Sequence, residues 1–303
     1  MFSRFHTSTA TRRRLLAVGA MTAGLALTAS VTAGAASAAT PRPTSAAALP
    51  AGSTIPLGDG YMGVGYVQDA KNFKADTRQL DLASPGVVSP LAAWGPLGID
   101  VSHYQGSINW SSVKAAGISF AYIKATEGTT YQDPDFSANY VGAYNAKVIR
   151  GAYHFAQPAS STGAAQATYF AAHGGAWSAD GLTLPGMLDL EGGCYGLSTS
   201  AMQSWILSFL NTYKSKTGRY VVIYTSPSWW DTCTGDWSGI SADSPLFIAD
   251  WTTAANPTIP AAFPYATLWQ YTDSGSVSGV SGAVDRDKFN GASSRLLALA
   301  NNT

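Results

Sequence analysis

Between residues 97 and 289, short β-rich runs alternate with helix-like stretches, and this alternation constrains the fold more than any other feature of the chain. Eight such runs can be counted, at 97–102, 118–125, 148–156, 184–191, 220–225, 245–251, 267–271 and 283–289. Alternation of this kind builds βα units around a parallel sheet, and eight strands are the number that closes a barrel. Helix candidates fill the first four gaps, at 110–116, 136–146, 162–172 and 201–214, the last opened by Ser198 or Ser200 as N-cap. Beyond Thr225 the connections carry Pro227, Gly235, Pro245, Pro257, Pro260, Pro264 and a Gly/Ser run over 274–282, with little helical period. The expectation is an irregular TIM-like α/β barrel, about (β/α)5(β)3, whose last strands lack regular helices. A doubly wound open sheet is the alternative.

The residues before the barrel read differently. Arg12, Arg13 and Arg14 precede a weakly apolar Ala/Gly/Thr/Leu run, and Ala36-Ser37-Ala38 supplies a small-residue cleavage signature. Residues 1–38 are therefore expected to be an export signal of twin-arginine or Sec type. A Pro/Ala/Ser/Gly-rich stretch over 39–96 is expected to be a propeptide, linker or N-terminal extension, and 97–303 the catalytic barrel. Gly58 to Gly63 spell a formal G-x-G-x-x-G, but no strand pattern precedes it and no helical pattern follows, so turn glycines are the better reading. No later stretch has the apolar length of a membrane span, which points to a secreted protein without stable membrane association. Export also favours a disulfide between the only two cysteines, Cys194 and Cys233, whose spacing makes a poor zinc site.

Only 12% of residues are charged, and once the four arginines of the first forty residues are set aside the remainder carries a net charge of −4. That excludes the basic surface a nucleic-acid partner would need. Barrel chemistry sits at the C-terminal ends of strands, and Asp100, Asp189, Glu191 and Asp250 fall there, while Asp285 lies on the eighth strand. Asp189 and Glu191 are two apart, so they point to the same face and oppose each other's ionisation. One proton is then retained for a leaving group, a general-acid arrangement. A divalent-cation site or an internal salt bridge is the competing reading of the pair. The only other glutamate, Glu127, follows the second strand. No G-x-S-x-G, H-E-x-x-H or P-loop is present. His103 and His154 border strand ends, either as ligand contacts or as ordinary hydrogen-bonded side chains. Tyr104, Tyr153, Phe155, Tyr224, Trp251, Trp269 and Tyr271 cluster at the same ends, where rings can stack on sugars or simply fill the barrel.

Gly98-Ile99-Asp100-Val101-Ser102, Ile123-Lys124-Ala125-Thr126-Glu127-Gly128, Gly151-Ala152-Tyr153-His154-Phe155, Asp189-Leu190-Glu191, Ile223-Tyr224-Thr225, Trp269-Gln270-Tyr271 and Val284-Asp285, in this order, resemble glycoside hydrolase family 25, the N-acetylmuramidase lysozymes. The resemblance implies an incomplete β/α barrel, hydrolysis of the β-1,4 bond between N-acetylmuramic acid and N-acetylglucosamine in bacterial peptidoglycan, and no metal or organic cofactor. It assigns Glu191 as general acid/base and Asp189, Asp100 and Asp285 as the other active-site carboxylates. Tyr153, Phe155, Tyr224, Trp251, Trp269, Gln270 and Glu127 are the candidate substrate contacts. Asp287 stands where the family more often has Asn. A chitinase-like hydrolase and a non-catalytic glycan-binding barrel are the rival readings, and a monomer is the default for a secreted depolymerase.

Overall fold

The computed structural model describes residues 54–64 and 94–303. The expected signal and most of the expected propeptide lie outside these residues. Among the described residues there are nine strands: β1 (Trp94–Val101), β2 (Ile118–Glu127), β3 (Tyr131–Gln132), β4 (Ile149–Phe155), β5 (Met187–Asp189), β6 (Val222–Thr225), β7 (Leu246–Ala249), β8 (Leu268–Gly275) and β9 (Val284–Asn290). Among the described residues six α-helices accompany them: α1 (Trp110–Ala115), α2 (Phe136–Asn145), α3 (Gly163–Phe170), α4 (Thr199–Thr217), α5 (Pro227–Thr234) and α6 (Ser293–Asn301). The sheet runs β1-β9-β8-β7-β6-β5-β4-β2 and closes through a β1–β2 pairing, with β3 appended to the end of β2. The expected eight-stranded (β/α)5(β)3 barrel is therefore observed.

The helices begin where side-chain oxygens can satisfy free backbone N–H groups. Thr162 caps α3 through the Ala165 N–H at 3.2 Å, and Ser198, not Ser200, caps α4 through the Ala201 N–H at 3.3 Å. Gly218, in the left-handed region at φ 73°, ends α4. Helix α5 escaped the periodicity argument, although Ser226 as N-cap followed by Pro227 is a sequence signal for a helix start. Helix α6 was likewise not expected.

One correction concerns strand direction. β9 runs antiparallel to both β8 and β1, whereas the other barrel pairings are parallel. The cause is the connection: no helix lies between β8 and β9, and adjacent strands joined by a short loop must reverse direction.

Alternation along each strand divides the core into layers. Phe120, Tyr122, Tyr153, Met187, Tyr224, Phe247, Leu268 and Phe289 fill the barrel, while Leu188, Ile223, Ile248 and Trp269 face outward onto a layer that includes Ile206, Phe209 and Trp230 of α4 and α5. Burial of each large apolar side chain contributes about 1.5–3 kcal/mol, so both layers are needed to hold the strands in register. The predicted disulfide is present: Cys194 and Cys233, with Cα atoms 5.2 Å apart, tie the loop after β5 to α5.

Candidate active site

Three levels of backbone register build the mouth of the barrel. Strand β5 pairs Asp189 with Phe155 of β4 on one side and with Tyr224 of β6 on the other. Pairing continues past the strand end, because the Ala156 N–H donates to Asp189 O (3.0 Å) and the Leu190 N–H to Tyr224 O (2.9 Å). Leu190 is buried in the outer layer, so Asp189 and Glu191 on either side of it both turn to the mouth. The Glu191 main-chain carbonyl is held by the Tyr195 hydroxyl at 3.0 Å.

Both acids are buried. Burial and then the charge of Glu191 push the Asp189 carboxyl well above its ordinary range, with Lys124 opposing. No donor group reaches either carboxyl oxygen of Asp189, and its carboxyl lies against that of Glu191, so the two can share one proton.

Across the cleft, β1 and β9 pair Asp100 directly with Asp285. Asp287, two residues on, shares that face. Burial, then the charges of Asp285 and Asp287, raise Asp100; burial, then Asp285, raises Asp287. Gln270 pins Asp100: its Nε2 donates to Asp100 Oδ2 at 2.8 Å, while its Oε1 accepts from the Tyr224 hydroxyl (2.8 Å) and the Trp251 indole N–H (3.0 Å). The two acceptor contacts fix which way the amide points.

A β-bulge places a further pair. The β2–β4 register slips between Lys124 and Thr126, leaving Ala125 as an extra residue. Thr126 is thereby turned outward to His154 (2.8 Å), and Lys124 and Glu127 both face the mouth, 2.7 Å apart and wholly buried. Gln157 Nε2 donates to the second Glu127 oxygen at 2.8 Å. Sequence reasoning missed Lys124 and Gln157; a lysine inside the otherwise apolar run Phe120 to Ala125 was the available signal.

The sequence-derived candidates thus divide. Asp100, Asp189, Glu191, Asp285, Glu127, Tyr153, Phe155, Tyr224, Trp251 and Gln270 converge on the mouth. Burial, then Asp100 and Asp189, raise the Tyr153 phenol, so it is a neutral hydroxyl there. Trp269 is a correction. As the immediate neighbour of Gln270 it must face outward, and it does: its indole donates to Asp250 O at 2.7 Å and its ring packs on Trp94 and Tyr271 at 5.2 and 5.9 Å. Both candidate histidines are held by other side chains. His103 Nδ1 lies 2.9 Å from Asp133 Oδ2, and His154 lies between Thr126 and Gln166, where burial lowers its pKa to about 4.

The described N-terminal stretch, Thr54 to Val64, lies on this mouth. Gly58 and Gly63 take positive φ of 96° and 93°, in keeping with turn glycines. The Gly63 N–H donates to Glu191 Oε1 at 3.0 Å, Lys124 Nζ donates to Gly60 O, and Gln157 Nε2 donates to Ile55 O at 2.8 Å.

A closed, irregular β/α barrel whose mouth gathers buried acids from the ends of β1 and β5 and from the start of the antiparallel β9 fits the two-carboxyl chemistry of a barrel glycoside hydrolase. Comparison with known proteins identifies which kind. A family model described as glycosyl hydrolases family 25 matches residues 99–280. Lysozyme M1 of Streptomyces globisporus is 53% identical over 98% of this chain and 99% of its own length. The N,O-diacetylmuramidase of Chalaropsis sp is 48% identical over 63% of this chain and 96% of its own. The crystal structure of the bacterial lysozyme from Streptomyces coelicolor superposes with a TM-score of 0.68 at 63% identity, covering 69% of this chain and 98% of that one. The chain belongs to glycosyl hydrolases family 25.

Proposed function

We propose that this glycoside hydrolase is a secreted lysozyme that cleaves the β-1,4 bond between N-acetylmuramic acid and N-acetylglucosamine in bacterial peptidoglycan, with Glu191 as general acid/base. The observation that carries the reading is the buried Asp189–Glu191 pair, whose mutual repulsion retains one proton at the end of β5. Glu191 delivers that proton to the glycosidic oxygen as the bond breaks. Asp189, left as the carboxylate of the pair, orients the acetamido group of the substrate so that its carbonyl oxygen attacks the anomeric carbon. Water then opens the resulting ring with Glu191 acting as base. Asp100 and Asp285 hold the sugar from the opposite wall, and Tyr153, Tyr224, Trp251 and Gln270 line the cleft.

Similarity to lysozyme M1 and to the diacetylmuramidase supports this substrate class, and among the described residues no helix is long and apolar enough to cross a membrane. The domain division follows the same reading: signal over 1–38, propeptide over 39–96, catalytic barrel over 97–303, acting as a monomer. The test is reducing-end release from purified peptidoglycan, with mass spectrometry of the fragments and Glu191→Gln as control. Fragments ending in reducing muramic acid that disappear in the variant are expected. Fragments ending in reducing glucosamine would refute the assignment, and trapping a covalent glycosyl–enzyme would replace acetamido attack with attack by Asp285.

A further inference from the structure

The acids that the reading above makes catalytic are covered by the protein's own chain. Ile55, Tyr61, Met62 and Val64 are all buried, although the stretch around them has no strand partner and is organised only by two turns, closed by the Asp59 N–H on Pro56 O (3.0 Å) and the Val64 N–H on Tyr61 O (3.1 Å). Met62 enters the barrel-filling cluster alongside Tyr153, Tyr224 and Phe247, and Ile55, Tyr61 and Val64 pack with Tyr104 and Phe155. Tyr61 meets Tyr104 edge-on with centroids 5.2 Å apart. These rings are the apolar surfaces that a sugar would use.

Its polar contacts are equally placed. The segment satisfies Glu191 through a backbone N–H and Lys124 through a backbone carbonyl, groups whose partners during turnover would be saccharide. A methyl group built on Gly60 would lie 2.5 Å from the Phe155 ring, and one on Gly63 would lie 2.8 Å from the Trp251 ring. The backbone therefore lies flat across the cleft from the β4 side to the β7 side, and only residues without a side chain allow it to approach so closely.

We propose that Thr54–Val64 is a cleft-blocking segment that holds the uncut chain inactive as a glycosidase, and that cutting the connection between Val64 and Trp94 activates the enzyme. This rests on the lysozyme reading above. A tethered segment acts at an effective concentration of about 1 mM, so one that binds with a Kd of about 0.1 mM suppresses turnover about tenfold. After cleavage it becomes a free peptide and dilutes away. The residues that grip it are the residues that must grip substrate, so inhibition is competitive.

The test uses the uncut full chain and its Gly60→Val/Gly63→Val variant, whose new side chains meet Phe155 and Trp251, with intactness checked by mass and folding by circular dichroism. Expected is peptidoglycan hydrolysis about tenfold faster in the uncut variant than in the uncut parent. A synthetic peptide spanning residues 54–64 should raise the variant's KM and leave its kcat unchanged. A loosened or misfolded barrel cannot give this result, because the predicted effect is a gain. Equal rates in the two chains, with no effect of millimolar peptide, would overturn the blocking role and leave the hydrolase intact. Peptide binding seen by calorimetry without any peptidoglycan hydrolysis by the variant would instead sink the lysozyme reading, and the inhibition with it.

Discussion

The two walls of the cleft are both made of buried carboxyls, yet they are held in opposite ways. On one wall Asp189 and Glu191 lie two residues apart at the end of a single strand, so their proximity is a local property of β5. Their mutual repulsion is opposed by Lys124. On the other wall Asp100, Asp285 and Asp287 come from β1 and β9, and Asp100 is oriented from β8 by Gln270, itself gripped by β6 and by Trp251. A short strand suffices to create a shared proton; fixing a sugar against it takes agreement among four strands. Under the proposed mechanism the first wall governs the chemistry and the second the geometry.

Substitutions should separate these duties. Glu191→Gln removes the only proton the first wall can deliver, and kcat for reducing-end release should fall about 10³-fold with the melting curve preserved. Asp189→Asn should lower kcat about 100-fold through loss of the acetamido partner. It should also move the alkaline limb of the pH–rate profile to lower pH, because a lone carboxyl no longer keeps a shared proton. An unmoved limb would mean that the two acids do not titrate together.

On the second wall, Gln270→Leu strips Asp100 of its donor and leaves the Tyr224 and Trp251 donors without their acceptor. A loss of about tenfold in kcat/KM is expected, carried mostly by KM. A fall in kcat alone would erase the distinction between the walls. Asp287→Asn should change the rate least, by about twofold or less, and act on stability instead. Burial raises the Asp287 carboxyl, so the folded state binds its proton more tightly than the unfolded chain does. That contribution is present below the carboxylate's ordinary range and is lost as pH rises through the raised value. The variant should therefore lose less stability than the parent as pH rises, read from urea midpoints across the pH range.

Much of this was legible because it is local. The eight β-rich runs, the start of α4 at Ser198 or Ser200 and the one-face placement of Asp189 and Glu191 all depend on patterns a few residues long. The direction of β9 was not, since it depends on a connection too short for a crossover rather than on the strand itself. The orientation of Trp269 was legible in principle: it and Gln270 are neighbours on one strand and cannot both face the cleft. The Lys124–Glu127 pair required the bulge at Ala125, and no residue pattern announces a two-against-one mismatch between strands. The seat of Met62 and Gly63 depends on the shape of a finished barrel, which no local window contains.

Closure through β9 has a further consequence for the life of the nascent chain. Asp100 emerges with the first barrel strand and its ladder partner Asp285 with the last, so the second wall is complete only after the whole barrel has been made. A ribosome-bound or prematurely terminated chain lacking β9 can form the local acid pair but not the opposing clamp. The architecture therefore ties the opposing clamp to completion of the barrel rather than to any local element.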